Sequence, residues 1–244
     1  MARWDGYARE DGAANWGETM TARLSLIALF LLATLPAVAQ NVQPGWSADP
    51  RTGCRVWNGS PQPNETVAWS GACGNGMAQG RGRLEWFENA ILTEHFEGEY
   101  RNGEKHGRGV KVWANGNRHD GEWRDDKRNG RGVLVFGKGS RYNGDRYDGE
   151  WRDDNQHGRG IYVWASGTRY DGEWRDGNMH GRGVEVWANG DRYDGEWRND
   201  KAHGSGTKTL ADGRTYTGTW TNGCFRQGDR WSTAGTTAKE CGFK

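Results

Sequence analysis

Tyr170-Asp-Gly-Glu-Trp-Arg-Asp-Gly-Asn-Met-His-Gly-Arg-Gly-Val-Glu-Val-Trp-Ala-Asn-Gly-Asp-Arg192 is followed at once by a near copy of itself that begins at Tyr193. The anchor aromatics Tyr147, Tyr170, Tyr193 and Tyr216 stand 23 residues apart. A period of this size marks a stacked array in which each unit buries its apolar face against its neighbours. Inside the stretch, Tyr170, Gly172 and Trp174 alternate with Asp171, Glu173 and Arg175, the two-residue period of a strand. Val184-Glu-Val-Trp187 reads as a second strand, with the valines on one face and Glu185 and Trp187 on the other. Asn189-Gly190 predicts a type I′ hairpin turn, which needs positive φ at both central residues. Asn115-Gly116, Ser166-Gly167 and Asp212-Gly213 repeat that signal at the matching places. Between the two strands, His180-Gly181-Arg182-Gly183 reads as a loop. Its glycines supply backbone angles closed to other residues and leave room for a neighbouring ring.

Working outward, clear copies begin at Phe96, His119, Tyr147, Tyr170 and Tyr193. The step from His119 to Tyr147 is 28 residues, because Arg141-Tyr-Asn-Gly-Asp145 is duplicated as Arg146-Tyr-Asp-Gly-Glu150. Degenerate copies begin at Trp69 and Tyr216, which gives about seven units with atypical ends, as terminal units require. No stretch after residue 40 keeps a helical period, and Gly is 40 of 244 residues, a composition hostile to helices. The chain is predicted to be all-β.

The pattern Tyr-x-Gly-x-Trp-x-x-Gly-x-x-His-Gly-x-Gly, recurring in one register over residues 69–228, resembles the MORN repeat (membrane occupation and recognition nexus). The Trp69-Ser-Gly-Ala-Cys73 version is similar to the opening unit of exported bacterial members. The resemblance implies an elongated, curved, single-layer antiparallel sheet of successive β-hairpins and supplies no catalytic residue. Family members act as scaffolds, dimerisation surfaces and membrane-associated spacers, or flank a separate enzyme. Phosphoinositide binding has been attributed to such repeats, but an exported, near-neutral chain would not meet a cytoplasmic phosphoinositide.

Export is read from the N-terminal end. Residues 24–35 are uncharged and apolar, Arg23 precedes them, and Ala37-Val38-Ala39 follows, the layout of a secretory signal cleaved between Ala39 and Gln40. The run is shorter than the roughly 20 residues needed to cross a bilayer, and Pro36 interrupts its end. The expected organisation is an upstream start-site artefact or disordered extension at 1–19, a signal peptide at 20–39 and a linker and cap at 40–68. The array follows at 69–228 and a C-terminal cap at 229–244. Met1 and Met20 are both candidate starts. Of 33 basic and 32 acidic residues, cleavage removes three and four, leaving a net charge of +2. So balanced a chain lacks the electrostatic footprint of a nucleic-acid binder. The destination is the periplasm or the exterior. Cys54 and Cys73 precede the regular units, and Cys224 and Cys241 follow them. Four cysteines in an exported chain allow three pairings; Cys54–Cys73 and Cys224–Cys241 are favoured because each closes a short loop at one end of the array.

The chemistry-bearing residues mostly resolve into structural work. The ladder His106, His157, His180 and His203 steps by two strand spacings, roughly 9–10 Å, too far for one ion held at about 2 Å, so no metal is expected. Asp148 and Glu150, Asp171 and Glu173, and Asp194 and Glu196 repeat in identical surroundings, whereas an acid/base pair needs unlike ones. With Arg152, Arg175 and Arg198 beside them they read as a solvated mixed-charge ladder. Residues 132–139 nearly spell a phosphate loop, but Gly139 replaces the magnesium-holding hydroxyl and residues 133–136 read as strand. No cofactor is expected.

Two aromatic ladders remain. Tyr147, Trp151, Tyr170, Trp174, Tyr193, Trp197, Tyr216 and Trp220, with Trp123, are assigned to the core. Trp113, Phe136, Trp164 and Trp187, ending in Leu210, are placed on the opposite face as the candidate binding surface. The expected function is a non-catalytic exported scaffold or protein–protein interaction module, not an enzyme. Its partner would be another envelope or secreted protein; the alternative is an envelope glycan or lipid head group on the second ladder.

Overall fold

The computed structural model describes residues 44–243, and every regular element among them is a β-strand. Residues 1–19, the signal-like run and the Ala39–Gln40 junction lie outside the described residues. From Met77–Glu88 to Thr215–Trp220, twelve strands lie side by side in chain order, each antiparallel to the next. The result is the single-layer sheet of successive hairpins. Residues read as linker and cap carry strands Gly45–Ala48, Arg55–Asn58 and Glu65–Trp69. The first two form a hairpin joined to the array by one parallel bridge, Arg55 with Met77, so the sheet is mixed at that end. Cys224–Gln227 and Arg230–Thr233 form a separate two-stranded hairpin. The disulfides are Cys54–Cys73 and Cys224–Cys241, one at each end of the array.

The turns differ from expectation. At Asn189-Gly190 only Gly190 has positive φ. The Gly190 N–H donates to Trp187 O at 2.9 Å and the Trp187 N–H to Asp191 O at 2.9 Å. This is a three-residue loop, a tight turn closed by a left-handed glycine, rather than type I′. Paired positive φ values occur at the other end of each hairpin, at Asp125-Asp126, Asp153-Asp154, Asp176-Gly177 and Asn199-Asp200. Asp tolerates this backbone region better than most residues. Here it is also held by a bond to the preceding unit: Asp154 Oδ1 accepts the Arg128 N–H at 3.0 Å and Asp200 Oδ1 the Met179 N–H at 2.8 Å.

His180-Gly181-Arg182-Gly183 is correspondingly no loop, but part of strand Asn178–Val186. Gly172 pairs with Gly183 and Glu173 with His180, which leaves Gly181 and Arg182 as a bulge. Gly181 there has φ +56°, and the Glu173 carboxylate occupies the space its side chain would need, with a Cβ only 2.7 Å from the carboxyl carbon.

Register then explains the remaining glycines. Gly82, Gly98, Gly109, Gly121, Gly132, Gly149, Gly160, Gly172, Gly183, Gly195, Gly206 and Gly218 are consecutive cross-strand partners, one per strand. They form a ribbon without side chains across the sheet, and the anchor rings Trp69, Phe96, His119, Tyr147, Tyr170 and Tyr193 lie down on it, while Phe225 takes that place over Gly218. A Cβ at Gly172 or Gly183 would stand 2.5 Å from the Tyr170 hydroxyl oxygen or Cζ, respectively. Trp69 covers Gly82 in the same way, at 2.6 Å, so the degenerate first unit is built like the rest.

Candidate functional site

The recumbent rings make one continuous aromatic zigzag. Tyr170 meets its own Trp174 edge-on at 5.2 Å and the next unit's Trp197 at 5.5 Å; Tyr193 meets Trp197 at 5.0 Å and Trp220 at 5.1 Å. Tyr147 repeats this with Trp151 and Trp174 at 5.0 and 5.4 Å. Edge-to-face pairs contribute about 0.5–1.5 kcal/mol each beyond area burial. Polar tips are satisfied: Tyr147, Tyr170 and Tyr193 donate to the carbonyls of Glu150, Glu173 and Glu196 at 2.9–3.1 Å. The Trp174 and Trp197 indole N–H groups donate to Gly160 O and Gly183 O of the preceding unit, both at 3.1 Å. Tyr147, Trp151, Tyr170, Trp174, Tyr193, Trp197 and Trp220 are buried, whereas Tyr216, with no following unit over it, is half-buried.

His119 occupies the tyrosine place in its unit, 5.2 Å from both Trp123 and Trp151. It is fully buried, and neither ring nitrogen has a hydrogen-bond partner among the described residues. Burial, reinforced by Arg128 and Arg118, pushes its pKa down to about 3.

The second ladder is not on the opposite face. Tyr170 pairs directly with Glu185, and Tyr147 and Tyr170 both pair with Tyr162. Directly paired residues share a face. Glu185 and the ring two residues beyond it therefore continue the core face towards the hairpin tips. Phe136 is buried at 4 % exposure, and Trp113, Trp164 and Trp187 are half-buried against the core, Trp164 lying 4.5 Å from Tyr162. Lys111 lies over Trp113 at 5.0 Å and Lys208 over Trp187 at 4.6 Å, covering rings that were expected to stand open. Alternation within Val184–Trp187 sets Glu185 and Trp187 apart from the valines but does not say which pair faces the core; the pairing of Tyr170 with Glu185 does.

The face turned away from the rings is a regular array. Val133, Asp148, Ile161, Asp171, Val184 and Asp194 are successive cross-strand partners. A parallel row runs Val135, Arg146, Val163, Arg169, Val186 and Arg192. Each arginine bonds the aspartate two residues on, Arg146–Asp148, Arg169–Asp171 and Arg192–Asp194, at 2.6–2.7 Å. The glutamates do different work. Glu150, Glu173 and Glu196 each accept a backbone N–H of the neighbouring bulge at 3.1 Å, from Arg159, Arg182 and Ser205. Arg152 reaches Asp176 in the next unit at 2.7 Å, and His157 Nδ1 lies 3.6 Å from the same carboxylate. The repeated carboxylates are thus engaged in bulges and ion pairs.

The family model described as MORN repeat matches residues 96–118, 119–141, 147–169, 170–192 and 193–213. The interval between the second and third matches is the duplicated segment. No curated protein matches the chain.

Proposed function

The chain carries MORN repeats across residues 96–213, and from that premise we propose that it is a non-catalytic exported scaffold that holds another protein. Such repeats are in general protein- or membrane-binding scaffold modules. The observation that carries the reading is the outward face: valine or isoleucine alternates with aspartate from Val133 to Asp194 and with arginine from Val135 to Arg192. Exposed arginine–aspartate pairs contribute only about 0–1 kcal/mol to folding, so the rows are better understood as a surface presented to a partner. The two disulfides support export, since such bonds persist in oxidising compartments.

Charge reversal at Arg146, Arg169 and Arg192 tests it. The triple variant is expected to keep its unfolding free energy within about 0.5 kcal/mol per site while losing capture of its envelope partner. Undiminished capture would refute this face as the contact surface. The second reading, glycan or lipid head groups on the half-buried Trp113, Trp164 and Trp187, requires that Trp164→Ala with Trp187→Ala abolish retention on an envelope polysaccharide or lipid.

A further inference from the structure

The array ends differently from how it repeats. At the hairpin-tip position filled by Trp164 and Trp187 in the two preceding units, the last unit has Leu210, a much smaller side chain. Tyr216, whose counterpart Tyr193 is fully buried, has no following unit over it. The terminal hairpin then crosses this uncovered corner. Lys208 donates to Thr233 O at 2.8 Å, and Arg230 lies 5.3 Å over the Tyr216 ring and bonds Thr215 O. Between the two lies a cleft of about 550 Å³, within the range of small-ligand sites.

We propose that this cleft binds a pyranose ring of a glycan, with Trp231 as its stacking platform. Trp231 lines the cleft, keeps 40 % of its surface exposed and is backed by Phe243 at 5.0 Å. An indole face is electron-rich and attracts the positively polarised axial C–H groups of a sugar. Around it the wall offers donors and acceptors together: Arg230, held in place by Tyr216 and Thr215, with Asp229 and Ser232. Arg214 is engaged by Asp212 at 2.7 Å and Lys208 by Asp191 at 3.5 Å, so the cations are largely opposed. That balance suits the hydroxyl rim of a sugar better than a phosphate, which needs unopposed positive charge. The apolar lining is too sparse for an acyl chain: Leu210 supplies the one aliphatic side chain.

The test uses the full, disulfide-bonded chain and isothermal titration with chitotetraose, cellotetraose and tetragalacturonate. At least one is expected to bind, with Trp231→Ala weakening it tenfold or more and Trp231→Phe keeping most of the affinity. Equal urea midpoints for Trp231→Ala and the parent exclude unfolding as the cause. No heat with any of the three overturns the proposal, as does binding indifferent to Trp231→Ala. Binding lost instead with Trp164 and Trp187 moves the sugar to the array's own tryptophans and also overturns it. Failure here leaves the scaffold reading standing, since that rests on the charged face.

Discussion

His119 makes the fold pH-sensitive at one place. In the folded chain its ring is sealed between Trp123 and Trp151 and held neutral, with its pKa near 3 against an ordinary 6.5. The unfolded chain therefore binds the proton that the native one refuses. A depressed native pKa contributes stability that is complete above about 6.5 and is lost as pH falls through the window towards 3. Lowering pH from about 8 to about 5 removes about 2 kcal/mol through this residue alone. Because the native pKa lies well below the acid end of that range, the unfolded value of 6.5 sets the figure. Glu185 shifts the opposite way: burial raises its pKa to about 8, so on its account stability is lost as pH rises. Only a comparison between variants isolates His119. His119→Tyr restores the ring of the other units, and its hydroxyl is placed to donate to the Glu122 carbonyl as Tyr147 does to Glu150. Urea unfolding of both proteins at the two pH values is expected to show the variant losing about 2 kcal/mol less on acidification. An identical pH dependence in the two would refute the argument, because it would mean the buried imidazole accepts its proton without penalty.

Gly172→Ala and Gly183→Ala each drive a methyl group into Tyr170 and are expected to cost about 2–3 kcal/mol in urea melts, whereas Gly167→Ala, with nothing within 4 Å, costs only the strain of φ +90°, about 1 kcal/mol. Glu173→Ala removes the acceptor for the Arg182 N–H in the bulge and should destabilise by about 1 kcal/mol, while Glu173→Gln keeps an acceptor and should cost less than half of that. Reduction should lower the unfolding free energy from urea melts by about 3 kcal/mol per disulfide from loop entropy, and unreduced peptide mapping should recover Cys54 with Cys73 and Cys224 with Cys241.

The sequence announced the hairpin array because strand alternation and a fixed period are both written in side-chain chemistry. Tyr170, Gly172 and Trp174 declare their common face without any knowledge of their partners. What could not be read was anything that depends on which residues pair. Asp153-Asp154 and Asn199-Asp200 turn the chain through two left-handed residues although neither pair contains glycine; their carboxylates are secured by the preceding unit, a long-range cause. The bulge at Gly181 and Arg182 was mistaken for a loop for the same reason. The corner at Trp231 was invisible because it belongs to no repeat, and only the folded chain lays the terminal hairpin beside Leu210 and Tyr216.

The ribbon of glycines sets a rule for how this molecule can change in length. Tyr147, Tyr170 and Tyr193 each rest on the glycine pair of their own hairpin, and the indoles of Trp151, Trp174 and Trp197 each reach one carbonyl of the unit before. The junctions between these units are therefore alike, and inserting or deleting one such unit leaves the others undisturbed while moving the two disulfide-closed ends by about 10 Å. The duplicated segment before Tyr147 marks the limit of that freedom: its surplus residues are accommodated at a hairpin tip, where no glycine of the ribbon has to shift register. Such a chain can serve as a ruler, its reach measured in whole repeats and its endpoints free to diverge.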